Sequence, residues 1–146
     1  MRHLTALLFL TSVAYSAVPE KWLDGIAYVE SGNRNVTGDS GRAVGIFQLW
    51  EVCWRDISAI RASKGLPVYD YKLASNPAIA RSYVSTWLSH LEGKLTLALG
   101  RKPSLGELYA CYNLGYGGFK ARGYKLEACP AITVRAVAKL TAYVRA

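Results

Sequence analysis

Apolar side chains recur at helical spacing along most of this 146-residue chain, and few stretches alternate between apolar and polar residues. In the first such segment Trp22, Ile26 and Glu30 fall at positions i, i+4 and i+8, on one helical face. A repeat near 3.6 residues is typical of an amphipathic helix, whereas half-buried strands alternate with a period of two. The pattern therefore predicts a mainly α fold, α+β at most.

Residues that favour helix ends divide the chain into five predicted helical segments. Asn76 is a good N-cap and Pro77 suits a first helical position, while Ser104-Leu-Gly-Glu107 is a capping-box pattern. Gly32 is placed to stop the first helix. The predicted helices are Val18–Ser31, Ala43–Ile60, one from Asn76 towards Gly100, one opening at Ser104 and one after Pro130.

The chain length suits one domain with a substantial core. Residues 1–17 have the pattern of a secretory signal peptide: basic Arg2, an apolar run over Leu4–Val13 and small residues for cleavage near Ala17. A retained membrane anchor is the alternative, but the run is shorter than the ~18 apolar residues of a spanning helix. We therefore expect a single domain over 18–146 that is secreted or periplasmic, with no stable membrane insertion after cleavage.

The chain is basic, with 18 Lys and Arg against 10 Asp and Glu and a formal net charge of +8. Such a balance favours an anionic partner, although solubility alone is the alternative explanation. The basic residues are scattered and form no dense run, which disfavours a dedicated nucleic-acid site. We expect a monomer that does not bind nucleic acid.

Three cysteines, Cys53, Cys111 and Cys129, would enter an oxidising compartment if the signal functions. One disulfide and one buried thiol is the simplest arrangement, and the sequence does not choose the pair. His90 is the only histidine outside the signal segment, and no Cys-x-x-Cys motif occurs. We therefore expect neither a metal site nor a cofactor.

Glu30 is the residue with the most distinctive environment. It lies at the end of an apolar helical face, where an unpaired carboxylate is costly to ionise and its pKa should rise. A carboxylic acid that stays protonated near neutral pH can deliver a proton to the leaving oxygen of a glycosidic bond. The alternative is a buried glutamate that pairs with an arginine for structural reasons.

A loop rich in Asn, Gly, Asp and Ser follows over Asn33–Gly41, and the chain then becomes apolar again. Gln48 interrupts this second apolar run. It is either a solvent-facing helix residue or a hydrogen-bonding group that lines a cleft. A second glycine-rich stretch, Tyr112–Gly118, follows the fourth predicted helix and should turn the chain.

These motifs together resemble the signature of soluble lytic transglycosylases and goose-type lysozymes. Glu30-Ser31 is followed by Ala43-x-Gly-x-x-Gln48 at matching spacing, and Tyr112-Asn-Leu-Gly115 resembles the second motif, usually Tyr-Asn-Ala-Gly. Tyr143 in the last helix is similar in placement to a late tyrosine of the family. The resemblance implies a lysozyme-like helical domain with a glycan-binding cleft between two lobes.

The resemblance also implies an activity, a peptidoglycan lytic transglycosylase or lysozyme (muramidase). The enzyme would cut the MurNAc-GlcNAc β-1,4 bond of peptidoglycan strands with Glu30 as general acid, and the substrate's C6 hydroxyl would then attack to form a 1,6-anhydromuramoyl product. The residues implied in substrate binding or in positioning Glu30 are Ser31, Gln48, Tyr112, Asn113 and Tyr143.

The sequence departs from the family pattern at Asp39, Arg42 and Leu114, where many transglycosylases have Ser, Gly and Ala. Goose-type lysozymes have Asp at the first position, so Asp39 is a candidate second catalytic residue that would activate water in a hydrolytic reaction. An Asp beside Gly also commonly makes a turn through its own side chain. The remaining alternatives are a non-catalytic peptidoglycan-binding protein and a basic membrane-active or nucleic-acid-binding protein.

Overall fold

The computed structural model describes residues 18–146 of the chain. The predicted signal peptide, residues 1–17, lies outside the described residues. Within the described part, no helix is both long enough and apolar enough to cross a membrane.

Five α-helices account for most of the described residues, which confirms the mainly α prediction. A two-stranded antiparallel sheet lies between the first two helices and pairs Thr37 with Val44. The helices are α1 (Glu20–Ser31), α2 (Glu51–Ser63), α3 (Pro77–Leu99), α4 (Leu105–Lys120) and α5 (Ala131–Arg145), and the strands are β1 (Thr37–Gly38) and β2 (Ala43–Val44).

The predicted helix ends at α3 and α4 are confirmed. The Asn76 side chain accepts hydrogen bonds from the backbone N–H groups of Ala78 and Ile79, at 3.0 and 3.1 Å, and Gly100 ends α3 in the left-handed conformation. At α4 the Ser104 hydroxyl accepts from the Glu107 N–H, while the Glu107 carboxylate accepts from the Ser104 N–H at 2.7 Å. Both caps satisfy backbone donors that a helix start leaves without partners.

The prediction of a helix over Ala43–Ile60 is wrong in its first half, because α2 begins only at Glu51. Gly45 and Gln48 both adopt positive φ, 80° and 50°, which a right-handed helix does not allow. Val44 and Leu49 exchange backbone hydrogen bonds of 3.0 and 3.1 Å, so the intervening residues form a closed turn. The apolar side chains of this turn imitate helical spacing without forming a helix.

One buried cluster contains side chains from all five helices. Helix α3 packs against α1, α2 and α4, and α5 covers α1 and α4. Trp54 of α2 stacks on Tyr83 of α3 with ring centroids 3.6 Å apart. Burial of this apolar surface holds the ends of α1 and α4 and the start of α2 together.

The expectation of one disulfide is not met, because Cys53, Cys111 and Cys129 are all free thiols in the described structure. No two of them lie near each other, whereas a disulfide needs Cα atoms within about 7 Å. Cys111 is fully buried in α4, and the Cys129 thiol faces the carbonyl oxygen of Lys125 at 3.4 Å.

Candidate active site

A cavity of about 580 Å³ opens where the end of α1, the start of α2, the middle of α3 and the second half of α4 meet. Five residues singled out from the sequence line it, which brings the two predicted motifs together from opposite ends of the chain. These residues are Glu30, Asp39, Gln48, Tyr112 and Asn113.

Glu30 lies in the last turn of α1, just before Gly32 ends the helix in the left-handed conformation. Burial raises the pKa of Glu30 above its ordinary value of 4.5, and a hydrogen bond from Tyr109 opposes that rise to a lesser extent. No basic side chain among residues 18–146 forms an ion pair with this carboxylate. The structure therefore excludes the arginine-paired alternative within this region and leaves a carboxyl group that favours its protonated form.

Tyr109 is the partner of Glu30, and sequence reasoning missed it. Its hydroxyl donates to Glu30 Oε1 at 2.8 Å, and the side chain is almost fully buried on α4. Burial and the neighbouring carboxylate raise the pKa of Tyr109, so the phenol remains a neutral donor. One indication was present in the sequence: Tyr109 lies three residues before Tyr112, which places both side chains on the same side of a helix.

Ser31 connects α1 to the glycine-rich loop and does not line the cavity. Its hydroxyl lies 2.8 Å from the carbonyl oxygen of Ile46 and 3.1 Å from that of Ala27. It also accepts a hydrogen bond from the Arg34 N–H. Because these contacts use the hydroxyl within the protein, Ser31 holds the loop beside Glu30.

Gln48 lines the cavity, as one of its two sequence interpretations required, and it is not a helix residue. Its side-chain amide donates to the carbonyl oxygens of Val36 and Gly45 at 3.0 and 2.9 Å. Gly38 permits this arrangement, since a Cβ there would lie only 2.2 Å from Gln48 Oε1. Gln48 therefore fixes the shape of the loop that carries Asp39.

Asp39 also lines the cavity, but its carboxylate is exposed and has a cationic neighbour. The Arg42 guanidinium lies 3.6 Å from Asp39 Oδ1 and 4.8 Å from the centre of the Trp50 ring. Asp39 itself adopts a positive φ of 48°, a conformation that Asp tolerates better than most residues. The side chain has a structural partner while remaining at the cavity wall.

The second motif, Tyr112-Asn-Leu-Gly115, lies on α4, and all four of its residues line the cavity. The Tyr112 hydroxyl donates to the carbonyl oxygen of Phe47 at 2.7 Å, which ties α4 to the loop. Asn113 Oδ1 accepts from the buried Thr133 hydroxyl at 2.8 Å, and its amide N–H groups make no bond to any described residue. Gly115 breaks the helical geometry with φ 75° and ψ 157°, so the predicted turn is a kink within α4.

Tyr143 lies apart from this group and does not line the cavity. Its ring stacks on Tyr28 with centroids 5.0 Å apart. A Cβ at Gly25 would lie 3.2 Å from the same ring, so α5 packs closely on α1 here. The side chain stabilises the contact between the two helices.

Several cavity residues had no motif to indicate them. Trp50 and Trp87 provide aromatic surface, and Asp56 is a carboxylate that forms no hydrogen bond or ion pair with any described residue. With Glu30 and Asp39, the lining contains three carboxyl groups and no basic side chain. The described residues contain no group of three His, Cys, Asp or Glu side chains suited to a metal ion.

Comparisons of the chain with protein-family models, curated protein sequences and solved structures found no match. A relationship with lytic transglycosylases or goose-type lysozymes therefore stays a prediction based on the quoted motifs. The geometry around Glu30 is independent of that resemblance.

Proposed function

We propose that this protein is a secreted peptidoglycan-cleaving enzyme that cuts the MurNAc-GlcNAc β-1,4 bond with Glu30 as general acid, as a lytic transglycosylase. One observation carries the proposal: a desolvated carboxyl group, without a cationic partner in the described structure, lies at the wall of a cavity. The cavity volume of about 580 Å³ is in the range of small-molecule sites, which suits a few sugar rings.

The first step is proton transfer from Glu30 to the glycosidic oxygen as the bond to the anomeric carbon breaks. Burial raises the pKa of Glu30 and so favours the protonated acid, and the hydrogen bond from Tyr109 stabilises the carboxylate that forms when the proton leaves. Tyr109 acts on the substrate only through Glu30 and is a positioning residue.

The second step removes the proton from the C6 hydroxyl of the same muramoyl residue. The Glu30 carboxylate accepts this proton while the C6 oxygen bonds to the anomeric carbon, and the acid is regenerated. The free amide N–H groups of Asn113 can donate to sugar oxygens, and the rings of Trp50 and Trp87 can pack against sugar faces. Gln48 and Tyr112 maintain the walls through their bonds to the loop backbone.

Hydrolysis by a goose-type-like muramidase is the second candidate, because Asp39 lines the same cavity as Glu30. In that reaction Asp39 would orient and deprotonate water on the face opposite the leaving group. The Arg42 guanidinium forms an ion pair with Asp39 at 3.6 Å, which favours a structural role for Asp39. Transglycosylation therefore remains the leading proposal.

Release of soluble muropeptides from purified sacculi tests the proposal. Glu30→Gln should lower release by roughly a hundredfold to ten-thousandfold, because the amide cannot donate a proton of comparable acidity. Glu127→Gln is the matched control, since Glu127 is exposed and outside the cavity. Undiminished release by Glu30→Gln would refute the assignment, and binding of sacculi without any product would favour a non-catalytic binder.

Product mass distinguishes the two reaction routes. The anhydromuramoyl product is lighter than the hydrolysed product by one water molecule. We expect the lighter product from the wild type and from Asp39→Asn. A heavier product that disappears in Asp39→Asn would instead establish hydrolysis through Asp39.

A further inference from the structure

The cavity that contains Glu30 is poorly suited to an anionic group. Its lining holds Glu30, Asp39 and Asp56 and no lysine or arginine, although the whole chain carries a formal net charge of +8. A neutral sugar ring can enter this environment, whereas a carboxylate attached to it would be repelled by Asp39 and Asp56. Peptidoglycan carries such carboxylates on the peptide attached to each muramoyl residue, so they need a separate position.

A second cavity of about 320 Å³ lies beside the first and contains the missing positive charge. Trp50 and Val52 line both cavities, so the two share a wall. Arg42 and Arg55 line the second cavity together with one acidic residue, Glu51. Arg42 is already paired with Asp39 at 3.6 Å, so Arg55 is the arginine of this cavity whose charge has no partner among the described residues.

The two arginines differ in how they are held. The Arg42 guanidinium lies over the Trp50 ring at 4.8 Å, and its backbone carbonyl lies 3.3 Å from the Tyr71 hydroxyl. Arg55 forms no hydrogen bond or ion pair with any described residue, even though Glu51 lies one helical turn before it. One arginine is therefore oriented by an aromatic ring, and the other is available to a ligand.

From this arrangement we infer that the second cavity binds the carboxylates of the peptide attached to the muramoyl sugar. The sugar occupies the first cavity while Arg55 pairs with the peptide carboxylate across the shared wall at Trp50, and Arg42, which also contacts Asp39, lies over the same ring. The Glu51 carboxylate in the same cavity repels the ligand carboxylate and so lowers the affinity of the site for it. This inference rests on the proposed function for its ligand, while the second cavity itself is lined by neither Glu30 nor Tyr109.

Direct binding to the Glu30→Gln protein tests the inference without cleavage. One probe is a GlcNAc-MurNAc disaccharide with a tripeptide bearing free carboxylates, and the other is the same compound with those carboxylates amidated. Arg55→Gln should raise Kd for the first probe roughly threefold or more and leave Kd for the amidated probe nearly unchanged. Glu51→Gln should lower Kd for the first probe, and Arg135→Gln, an exposed arginine on α5, is the control.

The outcomes separate this inference from the proposed function. Three results would overturn the carboxylate site, whatever the protein does to sacculi. They are equal affinity of the Glu30→Gln protein for both probes, an unchanged Kd when Arg55→Gln is added, or an equal effect of Arg135→Gln. Arginine-dependent binding in a protein that releases nothing from sacculi would support the site while refuting the enzymatic proposal.

Discussion

At the scale of single residues, Glu30 and Tyr109 determine the chemistry available to the cavity. The carboxyl group is half-buried without a cationic partner in the described structure, and the phenol supplies its one hydrogen bond. Sequence reasoning found Glu30 because helical spacing placed it on an apolar face. It did not find Tyr109, because the contact joins residues 79 positions apart and depends on how α4 packs on α1.

Replacing Glu30 should stabilise the protein at neutral pH. A raised pKa means that the folded state binds the proton more tightly, so the stabilising contribution of Glu30 is full below about 4.5 and is lost as pH rises through the folded-state pKa. Glu30→Gln does not titrate and avoids this loss. Each tenfold difference in proton affinity corresponds to about 1.4 kcal/mol.

Thermal unfolding between pH 4 and pH 8 measures this effect. The Tm of Glu30→Gln should exceed that of the wild type at pH 8, and the difference should shrink towards pH 4. Glu127→Gln should show no comparable trend. A wild-type protein that is the more stable at pH 8 would contradict the claim of an ionisation penalty at Glu30.

Removing the Tyr109 hydroxyl should move the activity profile towards alkaline pH. The hydrogen bond lowers the pKa of Glu30, so Tyr109→Phe should raise that pKa further. Because the reaction needs protonated Glu30, the alkaline limb of kcat/KM should shift to higher pH. Tyr112→Phe is the control and should leave the midpoint of the alkaline limb unchanged, since the Tyr112 hydroxyl bonds to the carbonyl oxygen of Phe47 and not to Glu30. A shift to lower pH, or no shift, in Tyr109→Phe would count against the role of Tyr109.

At the scale of elements, the sequence predicted helices best where their ends depend on nearby residues. Asn76 and Ser104 cap α3 and α4 through side-chain bonds within three residues, and both starts were predicted correctly. The segment before α2 was predicted wrongly. The positive φ of Gln48 is maintained by hydrogen bonds from its side-chain amide to the carbonyl oxygens of Val36 and Gly45. Helical spacing of apolar residues cannot reveal such a turn.

The kink at Gly115 offers a test at this scale. Gly115 has φ 75° and ψ 157°, a region that is essentially restricted to glycine, so Gly115→Ala should cost about 1–3 kcal/mol in the free energy of unfolding. Gly117, two residues later, has no positive φ and open space around a Cβ. Gly117→Ala should therefore stabilise by about 0.5–1 kcal/mol.

Urea unfolding of the two variants measures the difference. Because Gly115 also lines the cavity, its substitution should reduce activity, whereas Gly117 lies outside the lining. Equal stability of the two variants would show that the kink is not maintained in solution.

At the scale of the whole molecule, one core joins all five helices without a disulfide in the described structure. Counting cysteines predicted a disulfide, but the fold distributes the three thiols over separate elements. Burial raises the pKa of Cys53 and of Cys111 to about 12, so both are poor nucleophiles near neutral pH.

Thiol titration tests this arrangement. The purified protein, unfolded without reductant, should react with a thiol reagent at three cysteines, and dithiothreitol should leave Tm unchanged. Titration of a single thiol, together with a lower Tm after reduction, would show that a disulfide forms and that the fold differs from the one described.

The central claim is that the cavity holds a carboxylic acid whose surroundings raise its pKa. A carbon-13 NMR titration of the Glu30 carboxyl group measures this most directly, with Glu30→Gln used to assign the signal. The account predicts a midpoint clearly above 4.5, because burial outweighs the hydrogen bond from Tyr109. A midpoint at or below 4.5 would contradict it.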